Sequence, residues 1–303
     1  MDFRQLEALL AVAESGSFSA AGKALATAQS NISTRIKNLE VELGVVLIDR
    51  DSMNLTPAGT TVLSRGRRIL EEEQAIGTDV QALNASVQGV VSIGMIGTTG
   101  RWLIPHLLAA QQAHFPGIQL RIVEGTNSSL EPRVSTGQLH LGILSQPAQP
   151  DAFRTEALFN EDLVLVVPAR GKRALTAESV TLEELSAMEL LLPLSGTPLR
   201  NEIDEACDRH GVTLNPRIEM DGIRTLASLC FDGEGYAVLP ATAIPAHLKL
   251  GFRAIPISDL PPRRVALVLP PYGVPAAPTW AIYDLIKSIV TDTQKTPSGL
   301  HQP

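Results

Sequence analysis

Hydroxyl residues gather at three points in this sequence where an apolar run gives way to an amphipathic one: Thr98-Thr99, Thr126 to Ser129, and Ser195-Gly196-Thr197. A strand that ends in Ser, Thr or Gly and passes into a helix sets free backbone N–H groups and a partial positive charge beside the hydroxyls. Such a place hydrogen-bonds a carboxylate or another small polar molecule. Thr98, Thr99, Thr126, Ser128, Ser195 and Thr197 are therefore candidate ligand contacts, and Ser145, ending the run HLGIL, joins them. Arg200, one turn into the helix after Thr197, is either a cation for an acidic ligand or a surface arginine. Plain N-capping accounts for each hydroxyl taken singly. Trp102 packs beside Thr99 or lines the same cleft.

A second chemistry lies near the N-terminus. Ser17 is a plausible cap for a short helix with a small face, Ala20, Ala21, Ala24 and Leu25, and Ala26-Thr27-Ala28 allows a tight turn. The next helix starts near Gln29 and buries Ile32, Ile36, Leu39 and Leu43 in one stripe. Its other faces carry Gln29, Ser30, Asn31, Ser33, Thr34, Arg35, Lys37 and Asn38. An apolar back with short polar side chains near the N-terminus suits a helix that enters a major groove of double-stranded DNA. An ordinary helix pair with a solvated face has the same periodicity.

Catalytic constellations are missing from the sequence. It has no P-loop, no Gly-x-Ser-x-Gly elbow and no His-Glu-x-x-His helix, and Gly233-x-Gly235 lacks the rest of a dinucleotide fingerprint. The histidines are scattered without helical ligand spacing. No catalytic residue, metal or cofactor is expected. Cys207 and Cys230 lie 23 residues apart without metal-ligand spacing, and they read as small buried hydrophobes. Oxidant sensing is the minor alternative.

The elements that must position these residues follow from length and pattern. The 303 residues allow two or three domains. A net charge of −7 excludes a generic nucleic-acid binder. Residues 1–59 hold five Lys/Arg against seven Asp/Glu, which argues against strong non-specific DNA affinity but not against specific binding. No secretory signal or long apolar run is visible, so a cytoplasmic protein without membrane contact is expected.

A helix over Asp2 to Ser15 precedes the helix pair, and Gly44, a strand-like VVLI and Leu55 to Gly59 follow it. Three helices and a small β excursion make a winged helix-turn-helix. From about 58 to 88 one long helix is expected, with Val62, Ile69, Ile76 and Leu83 recurring every seven residues and Val80 and Val87 at the four-residue offset. That is a coiled-coil seam of moderate quality, which serves dimerisation or, in the alternative, packing of the helix on its own domain. Arg65, Arg67 and Arg68 lie at its DNA-proximal end. Strands then alternate with helices, implying mostly parallel sheets covered on both faces. The grammar restarts near 168, giving two lobes.

The run RQLEALLAVAESGSFSAAGKALATAQSNISTRIKNLEVELGVVLIDR…LTPAG resembles the DNA-binding domain of LysR-type transcriptional regulators. The match lies at Gly16-Ser17-Phe18, Ala20-Ala21, Gln29, Leu39-Glu40, Leu43-Gly44, Arg50 and Leu55 to Gly59. Gly-Tyr-Ala-Val-Leu-Pro at 235–240 carries a looser likeness in the remainder. The resemblance implies a winged helix-turn-helix at 1–59, a linker helix at 60–88, and a periplasmic-binding-protein-like effector domain at 89–303. Lobe I would span about 89–167 and 265–292, lobe II about 168–264, and the tail 293–303 would be disordered. It further implies base or phosphate contacts around Gln29 and Ser33, Arg50 near the wing, and an effector site at Thr98 and Thr126. The partners implied are an inverted-repeat operator, a small-molecule effector, further copies of the chain in a dimer or tetramer, and RNA polymerase for an activator. Two departures stand out: the wing, Asp51 to Asn54, has no basic residue, and Thr34 stands where many members carry Arg. The rival reading is a cytosolic binding protein or enzyme with a non-functional N-terminal module.

Overall fold

The computed structural model describes residues 1–82, 87–145, 147, 150–245, 248, 250–292, 294 and 296–303. Three helices open the chain: α1 (Phe3–Ser15), α2 (Phe18–Ala24) and α3 (Gln29–Leu43). An Asp2–Gln5 capping box starts α1, and Ser17 caps α2 by accepting from the N–H of Ala20 at 3.1 Å. The turn into α3 is tight. Ala26 takes φ 49°, and a Cβ on Gly22 would lie 2.9 Å from the Thr27 carbonyl oxygen. Leu6, Leu9, Val12, Ile32, Ile36 and Leu39 form the small core. Leu43 leaves the expected stripe: it is 40 % exposed, because Gly44 ends the helix in a left-handed cap one residue later.

The β excursion is a single bridge between Ile48 and Leu55. Thr56 ties it to α4 (Pro57–Ala82), since its hydroxyl donates to the Val46 carbonyl at 2.7 Å and accepts from the N–H of Gly59 at 3.0 Å. The described part of α4 ends at Ala82; Leu83 lies outside the described residues, and Val87 packs on the next domain.

Two sheets follow, in the orders β11-β4-β10-β3-β1-β2 and β7-β6-β8-β5-β9. The first comprises β1 (Gly89–Ile96), β2 (Ile118–Gly125), β3 (Leu141–Ser145), β4 (Arg154–Glu161), β10 (Arg263–Leu269) and β11 (Leu300–His301). The second comprises β5 (Leu163–Pro168), β6 (Glu189–Pro193), β7 (Asn215–Met220), β8 (Tyr236–Pro240) and β9 (Phe252–Pro256). Helices α5 (Gly97–His114), α6 (Asn127–Ser135) and α10 (Ala277–Thr291) belong to the first lobe, and α7 (Leu182–Ser186), α8 (Pro198–His210) and α9 (Ile223–Phe231) to the second.

Three features differ from the sequence expectation. β5 was expected in lobe I but pairs with β8 and β9, so the chain changes lobe at Asp162. The sheets are mixed rather than mostly parallel: β10 runs antiparallel to β3 and β4, and β5 to β8 and β9. The tail was expected to be disordered, but Leu300–His301 adds an edge strand to β4, with His301 Nε2 2.9 Å from Asp162 Oδ1.

Candidate functional site

Parallel pairing lines up the ends of β1, β2 and β3. Ile96 is opposite Gly125 and Met95 opposite Ile143, so the turns after all three strands open on one side of the sheet. Thr98 and Thr99 start α5, Thr126 precedes α6, and Ser145 ends β3. Neither α5 nor α6 has a side-chain cap hydrogen bond at its start. The first-turn N–H groups of both helices therefore face the same place, with the positive ends of their dipoles.

Among the described residues, three buried side-chain polar atoms have no hydrogen-bond partner: Thr99 Oγ1, Asn127 Oδ1 and Trp102 Nε1. Thr99 is fully buried and Asn127 is 4 % exposed. Asn127 Nδ2 donates to the Ser145 carbonyl at 2.7 Å, which fixes the amide and leaves its oxygen free to accept. Trp102 packs edge-on against Phe159. The Thr126 hydroxyl lies 2.9 Å from Ser128 Oγ, and both residues are exposed. Thr98 is engaged, accepting from Arg263 Nη2 at 2.8 Å.

Arg263 belongs to a network that joins the lobes. It forms a buried ion pair with Glu161 at 2.5 Å, and Glu161 Oε1 accepts from the backbone N–H and hydroxyl of Thr242 in the second lobe. Arg101 donates to the Ala243 carbonyl at 3.0 Å, and Arg224 pairs with Glu124 at 2.6 Å. Glu202 on α8 faces this network. Burial pushes its carboxyl up to about 7, Arg263 opposes the shift, and Glu205 and Glu161 reinforce it.

The second lobe's residues are arranged otherwise than expected. Thr197 caps α8, accepting from the N–H of Arg200 at 3.4 Å and donating to Leu194, while Ser195 is exposed. Arg200 is neither a free cation nor a surface residue. It is 9 % exposed and binds Asp204, Glu219 and the Pro193 carbonyl, anchoring α8 to β6 and β7. Its Nε and Nη1 donors are spent inside its own lobe. Glu161, Arg263, Thr242 and Asn127 were not singled out in the sequence. Only Asn127 had a local signal, inside the Thr126 to Ser129 cluster.

At the other end of the molecule, α3 exposes Gln29, Ser30, Asn31, Thr34 and Lys37, and half-buries Ser33 and Arg35. Ala28 gives α3 no side-chain cap, so its first-turn N–H groups are open to a phosphate. Thr34 donates back to the Ser30 carbonyl, and Asn31 Nδ2 donates to Thr27 Oγ1. Arg50 sits at the wing but pairs with Glu40 at 3.5 Å and stacks over Phe18. On α4, Ile69, Ile76 and Val80 stand exposed at 40 %, 67 % and 53 %, whereas Val62 packs into the small N-terminal core. Among the described residues, no cluster of three His, Cys, Asp or Glu side chains is placed to hold a metal, and no helix is long and apolar enough to cross a membrane.

A three-helix domain with a wing, a long connecting helix and a two-lobed α/β unit define a bacterial regulator with a ligand-binding domain. Residues 3–60 match the bacterial regulatory helix-turn-helix model of the lysR family, and residues 84–288 match the LysR substrate binding domain. The chain belongs to the LysR family of DNA-binding transcriptional regulators. It is 27 % identical to the hydrogen peroxide-inducible genes activator of Haemophilus influenzae, over 98 % of both chains. It is 29 % identical to the dual regulator OxyR of Escherichia coli, over 89 % of this chain and 90 % of that one. A full-length OxyR variant from Pseudomonas aeruginosa superposes with a TM-score of 0.80 at 25 % identity, covering 100 % of this chain and 98 % of that chain. Full-length CbnR complexed with its target DNA gives 0.66 at 25 % identity, covering 96 % and 100 %.

Proposed function

We propose that this regulator acts in the cytoplasm, without enzymatic activity, by binding a small polar effector between its two lobes. Thr99 Oγ1 and Asn127 Oδ1 carry this reading: buried polar groups are almost always satisfied, and these two lie unpartnered beside two uncapped helix starts. A ligand with both a donor and an acceptor satisfies them. The nearby Arg263 is already neutralised by Glu161, so neutral hydrogen bonding recognises the effector more than a free cation does.

Two copies of α3, presented by a dimer, read an inverted repeat. Ile69, Ile76 and Val80 form the seam between linker helices. Relatives are named for induction by hydrogen peroxide. In this chain burial pushes both thiols upward, Cys230 to about 11, and the two pack on opposite faces of the second sheet. Thiols so placed are poor nucleophiles and cannot join without unfolding the lobe. Binding, rather than thiol oxidation, is the better reading.

A footprint of the purified chain on the DNA upstream of its own gene tests the DNA half. An inverted repeat protected over several helical turns is expected. Ile76→Glu should convert the oligomer to monomers in sedimentation and remove that protection; an unchanged oligomer would refute the seam.

A further inference from the structure

A cavity of about 1100 Å³ lies between α1, α4 and the first lobe, and its lining includes none of the turn residues that follow β1, β2 and β3. Five arginines line it: Arg67 and Arg68 from α4, Arg121 from β2, Arg133 from α6 and Arg154 from β4. In a chain of net charge −7 this is a marked concentration of positive charge. Arg67 is paired with Glu14 at 3.0 Å. Three others hold neutral partners. Arg68 stacks on Tyr272, Arg133 Nε donates to Gln138, and Arg154 Nε donates to the Pro270 carbonyl. Arg121 is exposed at the rim.

The acidic groups facing the cavity are Glu14, Glu71 and Glu72. Glu14 is spent on Arg67. Burial pushes Glu71 up to about 8, against the pull of Arg67 and Arg68. His140 is held neutral by burial and by Arg121, and its Nδ1 accepts from the Ser92 N–H at 3.2 Å. Among the described lining residues, two carboxyls not spent on Arg67, Glu71 and Glu72, face four guanidinium groups with spare donors.

We propose that this cavity is a second ligand site, for a small molecule bearing at least two carboxylate or phosphoryl groups. Guanidinium forks bind such groups through paired, charge-assisted hydrogen bonds. The ligand would touch Arg68 on the linker helix and Arg121, Arg133 and Arg154 on the lobe together. It therefore binds the docked arrangement, in which Asp79 accepts from the Ala277 N–H at 2.8 Å and caps α10. A ligand that prefers one arrangement shifts the population toward it. The site needs no effector between the lobes and stands independently of that reading.

Calorimetric titration of the full-length chain with citrate and, separately, with inorganic pyrophosphate tests the site. Saturable binding of either probe is expected, weakening at least tenfold in Arg68→Gln/Arg133→Gln and remaining unchanged in Thr98→Val. Citrate alone would mark the ligand as a polycarboxylate, pyrophosphate alone as a phosphorylated molecule. Because Arg133 also holds Gln138, the exposed Arg121→Gln is the second variant; several-fold weaker binding at an unchanged melting temperature is expected. Failure of both probes to bind, equal binding by the double variant, or loss of binding in Thr98→Val would overturn the proposal.

Discussion

At the residue scale the proposed interlobe site is built from groups left unsatisfied. A buried hydroxyl without a partner costs about 1–3 kcal/mol, a burden that a purely structural position would not retain. Thr99→Val keeps the shape and removes the polar atom. The melting temperature should stay level or rise, while effector affinity falls at least tenfold in calorimetric titration. A variant with lower stability and full affinity would make Thr99 a packing residue. The Glu161–Arg263 pair has the opposite character, since both partners are buried and mutually satisfied. Arg263→Met leaves a buried carboxylate uncompensated and should cost about 3–5 kcal/mol in urea denaturation, with Glu161→Gln on the same chain recovering part of it. Sequence made the first feature legible and hid the second. Hydroxyls at strand ends announce themselves by spacing, as Thr98-Thr99 and Thr126 do. Glu161 and Arg263 are separated by about a hundred positions, and nothing local to either marks the other.

At the element scale, periodicity revealed which segments are helix or strand but not which sheet a strand joins. The apolar run at β5 fits either lobe equally well; its place follows from antiparallel partners far along the chain, Val238 and Ile255 beside Leu165. β4 carries no such signature: it pairs on both edges yet leaves its first four residues exposed, so alternation is absent. The DNA-binding helices were legible throughout because Ser17, Gly44 and the Ile32, Ile36, Leu39 stripe are all local signals. The linker helix α4 adds a titration that no pattern displays. Burial raises the Glu71 carboxyl from its ordinary value of 4.5 to about 8. The folded state therefore binds more protons than the unfolded state between those values, and stability falls as pH rises through the window. The denaturation midpoint should drop from pH 5 to pH 8, and Glu71→Gln should flatten that part of the profile. A wild-type slope in the variant would place the titration elsewhere; Glu202, raised to about 7, is the group whose own variant would then be measured.

At the scale of the whole molecule, charge and closure set how the parts communicate. The acidic N-terminal domain and the pairing of Arg50 with Glu40 leave few cations for phosphates, so on the proposed reading operator affinity depends more on α3 and on symmetry than on bulk attraction. Communication then requires a state that effector binding favours. The lobes are held together on the effector side by Arg101 on the Ala243 carbonyl and by the Glu124–Arg224 pair, both of which bridge the two lobes beside the start of α5. The second pair is half-exposed, and such pairs contribute only about 0–1 kcal/mol. Arg224→Gln should therefore lower the closed population slightly and weaken effector binding by no more than about fivefold, since apparent affinity scales with the fraction of competent molecules. Intrinsic contacts at Thr99 and Asn127 would be untouched, so Thr99→Val and Arg224→Gln should act additively in binding free energy. Tighter binding in Arg224→Gln would show instead that the open form takes the ligand, and that effector binding pushes the lobes apart rather than drawing them together.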